Sequence, residues 1–324
     1  MNDCTGVRVG LSGLETSHPA AFLPLLRAMG CTVSGVHDAG DVSPKDHVAD
    51  FAREHGVPIL APSVDALAEQ CDVVMLLGCD WDRRVPEALR LVDAGVAVCV
   101  DKPVAGTPAD LRKLAAAAKT GRLSGGSSLR FAPEVTQWTQ NGDHSIVEAA
   151  TWCGGHPFYY GVHAVTLALA CAGSGRHVAV VESACSDQTS LAGADSVLSG
   201  RIRLDTGVFI LVDVRLDRPA GGFRASLKTA DGTRAIVPDA AMLYQAYLAA
   251  VVAGLAGRAP LPVRGDDLIA PELALLALAR SADLGGWEVS PEELGPSWRP
   301  WPGRAFATAY AQSREGGQSP RQST

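Results

Sequence analysis

Gly95-Val96-Ala97-Val98-Cys99-Val100-Asp101-Lys102-Pro103 decides how this 324-residue chain is read. Gly95 stops a helix, the apolar run after it is a short buried strand, and a Lys-Pro pair closes the strand's C-terminal end. In an open parallel α/β sheet, ligands bind outside the carboxyl ends of the strands, so a residue placed there faces the site. Pro103 fixes its own φ and removes a donor, which stiffens the turn carrying the ammonium. Two readings of Lys102 stand side by side: a charge used at a ligand rim, or a snorkelling lysine on a βα loop.

The flanking segments place that strand in a series. Val7–Gly13 reads as a strand ending in glycine, and His18-Pro19-Ala20 starts a helix with Ser17 as its N-cap. Strand, glycine turn and helix N-terminus together make the phosphate-binding corner of a Rossmann unit. Cys31–Asp38 is a second strand, and Asp38 falls where an acid would accept hydrogen bonds from an adenosine ribose, favouring NAD over NADP. Helices over 46–55, from Ser63 to Glu69 and from about Val85 to Ala94 alternate with strands over 57–60 and 72–77. Thr107-Pro108-Ala109-Asp110 caps a further helix that runs to about Lys119. The alternation predicts a doubly wound parallel sheet over residues 1–124.

The glycine-rich turn is irregular. Counting G-x-G-x-x-G from Gly13 puts Glu15 at the second glycine and His18 at the third. The second glycine lets backbone approach a pyrophosphate, and a carboxylate is both bulky and of the wrong sign. The hydroxyls of Thr16 and Ser17 offer partial compensation.

Gly13, Asp38, the strand over 72–77 and above all Asp101-Lys102-Pro103 before a capped helix resemble the Gfo/Idh/MocA oxidoreductases, relatives of glucose–fructose oxidoreductase and inositol dehydrogenase. That family usually carries Glu-Lys-Pro where this chain has Asp-Lys-Pro. The resemblance implies that Lys102 points at the nicotinamide and at the substrate hydroxyl. It implies a dinucleotide, NAD or NADP, lying along Gly13, Leu14, Thr16, Ser17, His18, Asp38, Leu77, Gly78, Asp101 and Lys102. It also identifies residues 125–135 with the family's crossover strand into an α+β substrate and oligomerisation domain over 125–312. Arg130 there is either a clamp for a carboxylate or phosphate or a structural ion pair at the junction.

Thr151–His163 opens an apolar helix over 164–172. The family has Asp-Xaa-Gly-Xaa-His at such a helix start, and its histidine carries protons. Gly161 and His163 match, while Tyr159 stands in the aspartate's position. An imidazole suits proton transfer to a secondary alcohol, and a tyrosine beside an ammonium is a second carrier. His156 and Tyr160 are assigned to the substrate. A metal at Cys153, His156 and His163 lacks a nearby fourth ligand, so no metal is expected. From Val178 the pattern has period two, with turns at Asp205-Thr206-Gly207 and Asp231-Gly232, predicting a large open, mostly antiparallel sheet; the resemblance implies that its outer face supports a homo-oligomer. Helices over 240–257 and 267–284 follow. Trp298 and Trp301 pin a last helix through Ala311, and 313–324 reads as a disordered tail.

Composition narrows the class. A formal net charge of −7 with no long basic run argues against nucleic acid as a partner. Eight cysteines without a CxxC pair read as buried free thiols in a reducing cytoplasm. The apolar run over 240–254 is too short to cross a bilayer, and no secretory signal pattern opens the chain. The leading expectation is an NAD(P)-dependent oxidoreductase that interconverts a secondary alcohol and a ketone on a sugar, cyclitol or related polar metabolite. The alternative is a non-redox lyase, cyclase or epimerase on the same scaffold, with the cofactor retained as a catalyst or lost. A third reading is a non-catalytic sensor.

Overall fold

A computed structural model describes residues 4–40, 42–44, 46–140, 145–184 and 197–315. Six short strands form one parallel sheet: β1 (Arg8–Ser12), β2 (Thr32–His37), β3 (Ile59–Leu60), β4 (Val73–Leu76), β5 (Ala97–Asp101) and β6 (Leu123–Gly126). Their order is β3-β2-β1-β4-β5-β6. The order reverses between β1 and β4, which makes the crevice above their C-terminal ends the switch point where such sheets bind ligands. β4 and β5 are buried along their whole lengths, as their unbroken apolar runs require.

The helices between them are α1 (His18–Ala28), α2 (His47–His55), α3 (Val64–Ala68), α4 (Trp81–Asp93) and α5 (Pro108–Ala118). Ser63 and Thr107 cap α3 and α5 through their side-chain oxygens, as the sequence suggests. Ser17 holds the N-cap position of α1 but makes no capping bond. The fourth helix starts earlier than the expected Val85. Asp80 takes the amide hydrogens of Asp82 and Arg83, so the first turn forms at Trp81 and Pro86 lies inside the helix.

The segment after β6 corrects a second expectation. Of residues 125–135 only Gly125 and Gly126 lie in a strand, the end of β6: Ser127 then caps a 3-10 turn over Ser128–Phe131, and α6 (Pro133–Gln140) follows. The hydroxyl of Ser127 draws the chain into that turn by accepting the Leu129 amide hydrogen.

The second sheet holds β7 (Glu148–Gly154), β8 (Val178–Ser183), β9 (Val197–Leu204), β10 (Phe209–Arg215), β11 (Gly221–Thr229) and β12 (Gly232–Ile236), ordered β12-β11-β7-β10-β9-β8. It is mostly antiparallel, as the sequence predicts, with one parallel pair where β7 enters between β10 and β11 and runs alongside β10. α7 (Gly161–Ala172) lies buried against β7, β10 and β11. α8 (Leu243–Leu255) returns to the first sheet and packs on β5, β6 and α1, with Tyr247 and Leu248 joining Phe22 in its core. α9 (Asp266–Asp283) packs on β8, α5 and α7, and α10 (Gly303–Glu315) on α4. Trp298 donates to the Leu276 carbonyl and Trp81 to that of Trp301, fixing the chain's return. α10 runs past Ser313, and the remainder of the expected tail, 316–324, lies outside the described residues. Seven cysteines are free and buried; Cys185 lies outside the described residues. No helix among the described residues is long and apolar enough to cross a membrane.

Gly13 shows how closely the two central loops meet. Its φ is +83°, and a Cβ there would stand 2.3 Å from the Gly78 nitrogen. Gly13→Ala should therefore cost about 3 kcal/mol or more, read as a lowered urea midpoint with an unchanged slope.

Candidate active site

β5 delivers Asp101 and Lys102 to the C-terminal edge of the sheet, and neighbouring elements hold the turn in place. Arg84 of α4 donates to the carbonyl oxygens of Asp101 (2.6 Å) and Pro103 (2.5 Å). The Val104 amide donates to Glu272 Oε1 of α9 at 2.9 Å. Burial raises the Glu272 carboxyl to about 7, and its second oxygen has no hydrogen-bond partner among the described residues.

Lys102 is only 3% exposed. Nζ lies 3.3 Å from the centroid of the Tyr159 ring, 5.5 Å from that of Tyr160, and donates at 3.4 Å to the Tyr159 carbonyl. Among the described residues no carboxylate pairs with it directly. Burial lowers its pKa to about 7, with Arg84 adding to the fall and Asp101 opposing it. The ring face partly replaces lost hydration. The aromatic environment therefore leaves a lysine that changes charge near neutrality.

Asp101 turns to the other side. His18 Nδ1 meets its Oδ2 at 2.6 Å, with both side chains buried. Burial alone would raise the Asp101 carboxyl, but the charge and hydrogen bond of His18, with Lys102 and Arg84 nearby, hold it below the usual carboxylate range. His18 thus donates to an ionised acid, and its ring stacks on Phe22 of α1. The pairing of Asp101 with His18 has no local sequence signal.

His163 enters from the start of α7. Its Nδ1 shares a hydrogen bond of 2.6 Å with Ser127 Oγ, which leaves Nε2 for a ligand. Burial, then the charge of Lys102, push its pKa well below 6.5, so the ring is neutral at neutral pH. Ser127 supplies the orienting contact that an aspartate at position 159 would otherwise offer. A serine directly after a strand end at the ligand-binding edge is the sequence signal that would have found it.

Tyr159 is buried, stacked on Phe306 at 4.5 Å and on Trp81. Burial pushes its hydroxyl well above 10, so the neighbouring ammonium does not make it a phenolate. Tyr160 is pushed to about 12 by burial. His156 Nδ1 accepts the amide hydrogens of Phe158 and Tyr159, and its ring packs among Trp81, Trp301 and Phe306, two of which also stack on Tyr159. Arg130 donates to the Asp267 carbonyl at 2.8 Å, a structural contact. Among the described residues no three His, Cys, Asp or Glu side chains are grouped to hold a metal.

The second part of the site is a shallow crevice above β1, β2 and β4, lined by Ser12, Gly13, Glu15, His37, Asp38 and Gly78 among others. Asp38 accepts the amide hydrogens of Leu14 and Gly40, each at 2.7 Å. Leu77 is buried and donates its amide to Ser12. The Thr16 hydroxyl accepts the His18 amide hydrogen. Glu15 reaches across to the loop after β4, where Oε1 accepts the Cys79 amide hydrogen at 2.8 Å. His18, the first residue of α1, is tied by Asp101 to the strand end that carries Lys102.

Solved structures with the same fold include GenD2 from gentamicin A biosynthesis in complex with NAD (19% identity, TM-score 0.71, 88% of this chain and 96% of that one). UDP-N-acetylglucosamine 3-dehydrogenase GnnA from Acidithiobacillus ferrooxidans is 16% identical with a TM-score of 0.70, over 85% of this chain and 97% of that one. Apo scyllo-inositol dehydrogenase from Lactobacillus casei is 13% identical with a TM-score of 0.72, over 90% of this chain and 100% of that one. Identities this low establish the fold. No family model matches the chain, and no curated protein matches its sequence.

Proposed function

We propose that this chain is an NAD(P)-dependent oxidoreductase, interconverting a secondary alcohol and a ketone on a sugar, cyclitol or related polar metabolite. The observation that carries the reading is a buried lysine at the end of β5 with no direct carboxylate partner among the described residues, seated on the Tyr159 ring and within electrostatic reach of His163, in a fold shared with sugar-nucleotide and inositol dehydrogenases.

The crevice fits a dinucleotide in two respects. Asp38, immediately beyond β2, has lone pairs left for ribose hydroxyls, which favours NAD. Gly13 and Gly78 meet backbone to backbone, closer than a Cβ on Gly13 would allow, which keeps the strand-to-helix corner of the crevice tight. When bound, the nicotinamide would supply a hydride donor or acceptor. Lys102 Nζ stabilises negative charge on the substrate oxygen and, titrating near 7, also gives or takes its proton. His163 Nε2, held in place by Ser127, fixes the same oxygen. Tyr159 serves by its ring face, which carries the ammonium. Copies of the chain pair through the outer face of the second sheet, where Leu211 is exposed; sedimentation would report a multiple of 33.7 kDa.

The pH dependence has a sign in each direction. At saturation, ketone reduction needs the ammonium and falls about tenfold per unit as pH rises above about 7. Alcohol oxidation needs the free amine and falls as pH drops below the same value. Absorbance of the reduced nicotinamide tests the function: it must change in step with substrate consumption. Consumption with no net change would establish a lyase, cyclase or epimerase instead.

A further inference from the structure

The last helix of the chain reaches the buried lysine through a single aromatic ring. Lys102 Nζ sits 3.3 Å from the centroid of Tyr159, and Phe306 of α10 stacks on the same ring at 4.5 Å with the planes 21° apart. An ammonium and a near-parallel ring at those distances do not fit on one face of a tyrosine, so Phe306 covers the face turned from Lys102. Among the described residues the Tyr159 hydroxyl makes no hydrogen bond that would fix the ring. Trp81 at 6.4 Å and Tyr160, edge-on at 5.2 Å, complete its surround. Packing therefore sets where the π face that receives the ammonium stands.

The start of α4 seats α10 for this contact. Asp82 Oδ2 accepts the Gly303 amide hydrogen at 2.8 Å and pairs with Arg299 at 3.1 Å. Gly303 lies so close that a Cβ on it would stand 2.7 Å from Asp80 Oδ1 and 2.8 Å from Trp81 N. One turn further along the helix, Phe306 meets both Tyr159 and, at 5.2 Å, Trp81.

We propose that Phe306 is a positioning residue for Lys102, acting through the Tyr159 ring, so that the C-terminal helix is part of the active site. Its bearing on catalysis rests on the role given to Lys102 above; the placement itself rests on packing. The other groups acting on the ammonium are Asp101 beside it, Arg84 from α4, the Cys79 thiol from the loop after β4 and Glu272 from α9. Asp101 is held by His18 of α1. His156 and His163 feel the ammonium's charge, and burial keeps both neutral near pH 7. Phe306 also touches His156 and Tyr310, so a Lys102→Met background is needed to separate their contribution.

Phe306→Leu keeps apolar bulk and removes the flat backing. With the lysine still buried and the π face free to tip away, the ammonium loses the ring's share of its stabilisation, and the Lys102 pKa falls about one unit further. A lysine whose folded pKa is depressed costs stability at low pH and returns it as pH rises from the folded value to 10.5. Urea unfolding at about pH 5 and about pH 10 should therefore show a gain in the folding constant about tenfold larger in Phe306→Leu than in the wild type. Phe306→Tyr, which keeps a flat ring, should restore the wild-type gain. In a Lys102→Met background Phe306→Leu should leave the gain as it is. The limb of the kcat profile near 7 should move about one unit toward acid in Phe306→Leu. An unchanged gain overturns the proposal and leaves the dehydrogenase standing. So does a smaller gain, which makes Phe306 a barrier to water, and so does a difference that persists without Lys102. A tyrosine variant shifted like the leucine one overturns it as well. The expected gain, with no secondary alcohol changing the nicotinamide absorbance, keeps the positioning and removes the dehydrogenase reading.

Discussion

Lys102→Met should abolish turnover and at the same time stabilise the protein. The ammonium is the group that meets negative charge on the reacting oxygen, and losing such a donor costs about 10³ in kcat. The stability gain follows from its burial. A lysine drawn from 10.5 to about 7 carries a charge penalty of about 5 kcal/mol as a ceiling. Methionine forfeits the contact with the Tyr159 ring, worth about 2 kcal/mol, so the net gain is about 2–3 kcal/mol. The sign depends on pH. Below about 7 both folded and unfolded lysine are protonated and the folded state bears the whole penalty. Between about 7 and 10.5 folding releases the proton, wild-type stability rises with pH, and the variant's advantage shrinks to nothing. Melting scans at about pH 6 and about pH 10 with a kcat measurement check all three statements. A variant that keeps most of its activity takes Lys102 out of the mechanism.

Arg84→Met should be the more damaging substitution for the fold. Arg84 is buried and donates to carbonyls on β4, on β5 and on the turn after β5. Removing it strands the Asp101 and Pro103 oxygens in an apolar surround, at about 1–3 kcal/mol each. The expected loss is about 4 kcal/mol, seen as a large fall in the urea midpoint. A second signature separates this from simple damage. Arg84 depresses Lys102, so its loss moves the limb of the kcat profile near 7 toward alkaline pH. A wild-type profile in the folded variant would show that Arg84 does not act on Lys102.

The contrast between these two residues shows what the chain discloses in one dimension. Lys102 and His163 are legible because each sits at a punctuated place: a strand end before proline, a helix start after glycine. The parallel sheet is legible because its strands are buried on both faces and read as unbroken apolar runs. Arg84 is silent, since an arginine within an amphipathic helix looks like any solvated side chain. The His18–Asp101 pair and the contact of Glu272 with the Val104 amide join residues far apart in sequence, and only the packed fold states which partner each acquires. β7 is silent for another reason: Glu148-Ala149-Ala150-Thr151 alternates only weakly, and alanine has little strand preference. The place of α8 against the first sheet is equally hidden, because an apolar helix does not announce which sheet it covers.

A crystal structure of the NAD complex tests the central claim most directly. The account predicts the pyrophosphate at the turn carrying Glu15, the adenosine ribose at Asp38, and the nicotinamide against Lys102 and His163. A dinucleotide bound elsewhere, or a nicotinamide out of reach of the Lys102 ammonium, would contradict it.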